Sequence, residues 1–241
     1  MRKIVIILSV LALVASSCGQ ATKKQAESKN NEVAEKQEET HRTIVQEEND
    51  NNSAENEEER FRQISLDEKI GKLTLKDYLL DEKIPQFFKD VIQQKQRLSD
   101  DEKTFALIDS LFSTDKERHP FYFVLVTRAL WRADGALAEP LGMAVREYVE
   151  SNTQQFLDYF STEIVLTQFD FKHWARSTLY EILIDSDDNI EECENTRKLM
   201  KKNCNGCSSE KIKMIDKFTE YMYAEYNEIQ RRNKEWEKKN L

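Results

Sequence analysis

The stretch from Phe121 to Phe160 constrains the fold of this chain more than any other. It opens on the densest apolar run of the sequence, Phe121–Val126, which continues at helical spacing as far as Trp131. A helix that is apolar nearly all round is buried on several sides. We therefore predict that the central helix spans Phe121–Ala133 and ends at Asp134–Gly135.

Few residues in the chain break helices, since it holds only 5 Gly and 3 Pro. Sandwiches and barrels need frequent turns rich in Gly, Asn or Pro. The sequence therefore predicts an all-α fold, an antiparallel array or bundle of about seven to nine helices. A short α-solenoid is the runner-up, because Phe87–Ile92 and Phe121–Val126 lie 34 residues apart and each follows a Pro.

Apolar residues at helical spacing place the other helices. The predicted segments are Leu73–Leu80, a helix after Pro85, one opening on a capping box at Ser99–Glu102, Ala136–Ser151, Thr153–Ser161, one through Trp174–Leu183, one from Asp187 or Asp188 to Asn203, and one from Ser208 or Ser209. We expect Phe105, Phe112 and Leu199 to point inward. The charged end, Arg231–Leu241, is expected to fray.

The N-terminus has the pattern of an export signal. A basic start, Met1–Lys3, precedes Ile4–Val14, an apolar run of 11 residues interrupted only by Ser9, which is too short to span a bilayer. Ala15–Ser17 and Cys18 follow, and this register resembles the lipobox of bacterial lipoproteins, with Ala15 where Leu is usual. The resemblance implies that residues 1–17 are removed and that Cys18 is lipidated and anchors the chain to the membrane. Gly19, in place of Asp, indicates the outer membrane.

Residues 18–60 differ in composition from the rest of the chain. The segment 19–60 holds 6 basic and 12 acidic residues and lacks aromatic residues. Such a segment cannot bury enough apolar surface to offset the entropy of ordering. We therefore predict a disordered acidic tether between Cys18 and a helical domain over 61–241.

The domain itself is mildly acidic. Residues 61–241 hold 28 basic and 33 acidic residues, a net charge of −5. A nucleic-acid partner requires a basic face, so nucleic acid is not expected to bind.

Three cysteines remain after Cys18, and export favours disulfide formation between them. If Asn189–Asn203 is one helix, Cys193 and Cys204 lie about 16 Å apart along its axis, too far for a bond. We therefore predict a Cys204–Cys207 disulfide and a free, buried Cys193. Thiol redox catalysis is disfavoured because Cys204 follows a helix, whereas thioredoxin-like cysteines begin one. A zinc site that adds His173 to the three cysteines lacks a second ligand motif.

No other stretch carries a catalytic or cofactor motif. Asp185–Asn189 begins like a calcium loop, but Ile190 and Thr196 stand where Gly and Glu are required. Asp134 and Glu139 are a candidate acid pair, although turn and cap roles suit them better. His41 and His119 have no neighbours in a ligand or nucleophile pattern. We therefore expect no cofactor and no metal.

Two classes of function follow from these observations. The first is a non-enzymatic interaction or scaffold module that binds a protein or glycan of the cell envelope, for example as an acidic immunity-type inhibitor. The second is an enzyme whose site is assembled from residues distant in sequence. A shallow apolar or acidic groove favours the first class, and a deep pocket with convergent polar groups favours the second.

Overall fold

The computed structural model describes residues 62–133, 135–186 and 189–240. The predicted signal peptide, Cys18 and tether lie outside these residues. The described part contains a two-stranded sheet and nine α-helices: β1 Lys69–Ile70, β2 Leu73–Thr74, α1 Leu75–Leu80, α2 Gln86–Ile92, α3 Glu102–Asp109, α4 His119–Leu130, α5 Gly135–Ser151, α6 Thr153–Thr162, α7 Gln168–Asp185, α8 Asn189–Asn203 and α9 Ser209–Asn240. The all-α prediction is confirmed.

Helix α4 is the central helix that the apolar run predicts. Ten of its twelve residues are buried, and only Pro120 and Arg128 are partly exposed. Pro120 occupies the first turn, where the missing N–H is not needed. The helix ends at Leu130, three residues before the predicted end.

The core around α4 is mainly aromatic. Phe123 is fully buried and lies against Trp174 of α7 and Tyr159 of α6, with ring centroids 4.8 and 4.7 Å apart. The indole Nε1 of Trp174 donates to the hydroxyl of Thr127, so this buried polar group is satisfied. His119 lies between the carbonyl of Leu111 and the Tyr159 hydroxyl, each 2.8 Å away. Both contacts give His119 a structural role.

The helices pack as a bundle and not as a one-dimensional stack. Helix α7 contacts α4, α5, α8 and α9, and α8 also returns to α5. In a solenoid each repeat contacts only its neighbours, so the solenoid alternative is wrong. Within the described residues, no helix is both long enough and apolar enough to cross a membrane.

A small β-hairpin precedes α1 and was not predicted. Ile70 pairs with Leu73 across a two-residue loop that begins at Gly71, whose φ of +62° suits glycine. A side chain at Gly71 would also meet the ring of Pro120. Gly followed by a second turn residue between short apolar runs is a hairpin signal. Because Leu73 and Thr74 belong to the hairpin, the predicted helix Leu73–Leu80 is shortened to Leu75–Leu80.

Four local predictions are wrong. Asp101, not Ser99, caps α3, because its carboxylate accepts from the backbone N–H groups of Lys103 and Thr104. Phe105 and Phe112 are 40% and 38% exposed, since the buried face of this segment consists of Thr104, Leu107, Ile108 and Leu111.

Leu199 is only partly buried, because Cys193, Thr196 and Met200 form the inner face of α8. Helix α9 continues to Asn240 in place of a frayed end, and Arg231 pairs there with Glu228 and Glu235.

Candidate functional site

An open acidic cleft lies between helices α5, α7 and α8. Its volume is about 430 Å³, within the range of roughly 300–1,000 Å³ that small-ligand sites occupy. The lining residues are Met143, Arg146, Glu147, Glu150, Ser151, Glu181, Asp185, Leu199 and Asn203. Four carboxylates and one guanidinium therefore face this space, which gives the cleft a negative potential.

Arg146 of α5 ties the three helices together at the cleft. Its guanidinium contacts Glu150 and Asp185 at 3.2 Å each and Glu192 at 2.8 Å. Glu150 also accepts from the Thr196 hydroxyl at 2.8 Å. One cation thus balances three carboxylates, so the network keeps an excess of negative charge while its geometry is held by α5, α7 and α8.

Glu181 of α7 forms the inner wall of the cleft. It is 5% exposed, and its Oε2 atom is buried without a hydrogen-bond partner. The carboxylate fits because α5 carries Gly142 opposite it: a Cβ at that position would lie 3.1 Å from Oε2. An unsatisfied buried carboxylate is costly, at roughly 1–3 kcal/mol or more. The fold therefore holds an acceptor here that the protein itself does not use.

The surroundings of Glu181 favour its neutral form. Burial raises the pKa of the Glu181 carboxyl, and the charges of Asp185 and Glu139 raise it further, while Arg146 opposes them. A cation placed in the cleft would reverse this balance, because it would supply the missing charge and a donor. The arrangement suits recognition of an ammonium or guanidinium group.

No family model, curated protein or solved structure matches this chain. Function is therefore inferred from the geometry of the chain itself. Among the described residues, no three His, Cys, Asp or Glu side chains are grouped as metal ligands.

The three described cysteines form one disulfide and one free thiol. Cys204 and Cys207 are joined by a disulfide with Cα atoms 5.3 Å apart, and the left-handed Gly206 turns the chain between them. Cys193 is a free, buried cysteine on α8. His173 stacks on Trp131, with ring centroids 3.9 Å apart. The four candidate zinc ligands therefore do not come together.

The other acidic candidates have separate places. Asp134 lies outside the described residues, as do Asp187 and Asp188. Glu139 is exposed on α5 and acts on Glu181 only through its charge. Asp185, the first residue of the rejected calcium loop, pairs with Arg146.

Sequence reasoning missed Glu181 and Arg146. A signal for Glu181 was present, because residues 174, 178, 181 and 182 share the buried face of α7 and position 181 carries a charge. A charged residue within a buried stripe is rare unless it is paired or functional. Arg146 gave no such signal, since its role depends on Asp185 and Glu192 from two later helices.

We expect Glu181→Gln to stabilise the free protein at neutral pH by about 1–2 kcal/mol. The pKa of Glu181 is raised in the folded protein, so above that pKa the buried charge lowers the free energy of unfolding. This destabilisation disappears as the pH falls towards the pKa that Glu181 has in the unfolded chain. The gain in melting temperature should therefore be present at about pH 7 and lost at about pH 4. Thermal unfolding of Glu147→Gln, at an exposed position of the same cleft, provides the control and should show little change. A loss of stability in Glu181→Gln at neutral pH would contradict this account.

We expect the Cys193 thiol to be inert in the native protein. Burial raises its pKa to about 12, so the thiolate that reacts is scarce. Iodoacetamide should modify Cys193 only when denaturant unfolds the chain, as peptide mass spectrometry with and without urea would show.

Peptide mass spectrometry without reduction should detect a Cys204–Cys207 peptide. A Cys193 linkage to either partner would refute both the pairing and the continuity of α8.

Proposed function

We propose that this protein is a lipid-anchored component of the cell envelope whose helical domain binds a cationic partner in the acidic cleft. The membrane part of the proposal is supported by the signal-like N-terminus and by the Cys18 lipobox. The binding part is supported by the geometry between α5, α7 and α8. The outer membrane remains the proposed location.

The partner is expected to be a protein that presents a Lys or Arg side chain. The cleft is open to solvent and lined by carboxylates, and it has room for a long side chain with a cationic head. Met143, which is 55% exposed, and Leu199 offer apolar surface for the methylene stem of such a side chain. This geometry suits an interaction module, as predicted for an acidic groove.

The buried, unpartnered Oε2 of Glu181 carries the proposal. A cluster of exposed acids is commonly a solvated surface, but solvation does not explain a carboxylate that is 5% exposed and whose Oε2 atom has no donor. Sites that bind ligands often retain groups that reduce the stability of the free protein. A bound guanidinium or ammonium group would satisfy Glu181 and relieve the excess charge around Arg146.

Binding of a fluorescent polyarginine peptide to the full chain tests the cleft. Fluorescence anisotropy should show that Glu181→Gln weakens binding about tenfold, because loss of one desolvated charge contact corresponds to about 1.4 kcal/mol. Glu82→Gln removes the same charge at an exposed position between α1 and α2 and should change affinity less than about twofold. Wild type and both variants keep the acidic segment 19–60. Nonspecific attraction of the peptide to this segment is therefore the same in all three proteins and does not affect the comparison. Equal weakening in both variants would refute the cleft as the binding site.

The anchor is tested separately by Cys18→Ser. This change removes the only thiol that the lipobox places at the mature N-terminus, so labelling with a radioactive fatty acid should be lost. The protein should then move from the membrane fraction to the soluble fraction. A Cys193→Ala variant that keeps Cys18 controls for loss of an unrelated thiol. A Cys18→Ser protein that still fractionates with membranes would refute the lipid anchor.

A further inference from the structure

The last ten residues of α9 extend past the packed part of the domain. Every residue from Arg231 to Asn240 is exposed, whereas Tyr221 and Met222 earlier in the same helix are buried. At a rise of 1.5 Å per residue, these ten residues are about 15 Å long. We call this segment, Arg231–Asn240, the α9 extension.

Trp236 continues the buried face of α9 into the extension. Ile215, Phe218 and Met222 are buried on that face. Ile229 follows on the same face and is partly buried, and Trp236 lies seven residues further, about two helical turns. Trp236 is nevertheless 67% exposed. Since Trp is enriched at the anchoring positions of protein interfaces, the packing face of α9 indicates a docking surface where it passes the domain.

The α9 extension is basic although the domain is acidic. It holds five basic and two acidic residues, a net charge of +3, against −5 for residues 61–241. Its ion pairs involve Arg231 and Arg232, whereas Lys234 and Lys239 form none within the described residues. Lys239 lies three residues after Trp236, so both side chains share one face of the helix. That face combines an apolar ring with a cation that no carboxylate neutralises.

The acidic cleft between α5, α7 and α8 matches this face in charge and in apolar surface. The buried Oε2 atom of Glu181 has no donor, and an ammonium group would supply one. Met143 is 55% exposed at the cleft, and a methionine sulfur makes favourable contacts with aromatic rings. Complementary charge also favours the encounter of the two surfaces.

The extension cannot reach the cleft of its own domain. Helix α9 packs against α7 and α8, and Glu194 near the start of α8 contacts Tyr223. Lys239 lies 16 residues further along the same continuous helix, about 24 Å past that contact. A continuous helix cannot turn back over this distance, so the cleft must come from another copy of the chain.

We propose that the α9 extension of one copy docks in the acidic cleft of a second copy, with Lys239 at Glu181 and Trp236 at Met143. This inference rests on the proposed function, because it names a partner for the same cleft. The contact joins two different surfaces, so each pair keeps one extension and one cleft through which it closes or adds further copies.

Sedimentation velocity of the full chain over a concentration series tests the contact. All proteins carry Cys18→Ser, so that a lipid does not cause association. Lys239→Gln should raise the dissociation constant about tenfold, which corresponds to about 1.4 kcal/mol. Lys234→Gln is the matched control, because it removes the same charge from the extension about 160° around the helix from Trp236. It should change the dissociation constant less than about twofold. A protein that stays monomeric without these lysine changes, or equal effects of the two, would overturn the proposal.

An anionic membrane is the alternative occupant, since basic helices with an exposed Trp also bind lipid surfaces. Vesicles of phosphatidylglycerol are therefore added in a parallel titration followed by sedimentation. Binding to these vesicles by a protein that does not self-associate would assign the extension to the membrane and would refute docking between copies.

Mixing two variants tests whether the extension and the cleft form one contact. Glu181→Gln keeps the extension and Lys239→Gln keeps the cleft, so each protein alone should associate weakly. An equimolar mixture should associate more tightly than either protein alone, because an intact extension then meets an intact cleft. A mixture no tighter than its components would overturn the proposal. Glu181-dependent binding of polyarginine would then still support the proposed function, whereas failure of that assay as well would remove the cleft as a binding site.

Discussion

Replacing Phe123 by Ala should lower the free energy of unfolding by about 3–5 kcal/mol. Its ring is fully buried at the centre of α4 and contacts the rings of Tyr148, Phe156, Tyr159, Phe160 and Trp174. Substitution removes the transfer free energy of the ring and leaves a cavity that these large neighbours cannot fill. It also removes aromatic pairs that contribute about 0.5–1.5 kcal/mol each beyond burial. Urea denaturation followed by circular dichroism measures the change.

Phe105→Ala is the matched control for this prediction. Phe105 is 40% exposed on α3, so the same chemical change should cost less than about 1 kcal/mol. Phe123→Leu keeps most of the volume and should lose less stability than Phe123→Ala. If the two Phe→Ala variants were equally destabilised, α4 would not be the centre of the core.

Asp170→Ala should be almost as damaging, with a loss of about 3–5 kcal/mol. Asp170 is 1% exposed, and its Oδ1 accepts from Trp131 at 2.8 Å and from Arg128 at 3.2 Å. Its Oδ2 accepts from the backbone N–H of Thr167 and completes the capping box that begins α7. Truncation leaves the Arg128 guanidinium without its carboxylate and removes half of that cap.

Asp158→Ala is the corresponding control at the surface. Asp158 is 47% exposed and forms an ion pair with Lys211 at 2.5 Å. An exposed pair of this kind contributes at most about 1 kcal/mol, so its loss should shift the urea midpoint only slightly. A comparable loss of stability in Asp170→Ala and Asp158→Ala would show that burial of the first pair has little energetic effect.

The helices could be predicted from sequence because their signals are local. The continuous apolar run at Phe121–Val126 and the spacing of Trp174, Thr178 and Ile182 each report burial within one helix. Errors arose where apolar residues lie on two adjacent faces of one helix, because their spacing does not indicate which face is buried. On α8, Met200 takes the buried position that Leu199 was expected to hold, and only the packing of the neighbouring helices decides between them.

The candidate cleft could not be predicted because it belongs to no single segment. Arg146, Glu181 and Glu192 come from three helices, and their proximity depends on how α5, α7 and α8 pack. Charged residues at single positions look like ordinary surface residues until the fold brings them together.

The close approach of Gly142 to Glu181 also constrains how this chain can evolve. A methyl group at position 142 would lie 3.1 Å from Oε2 of Glu181, so Gly142→Ala would require this carboxylate to move by a few tenths of an ångström unless position 181 had become smaller. A long acid at position 181 in turn favours glycine at position 142. The two positions are therefore expected to vary together among descendants of this sequence. Lineages that lose the acid would be free to fill the gap with a side chain, and that change would hinder its return.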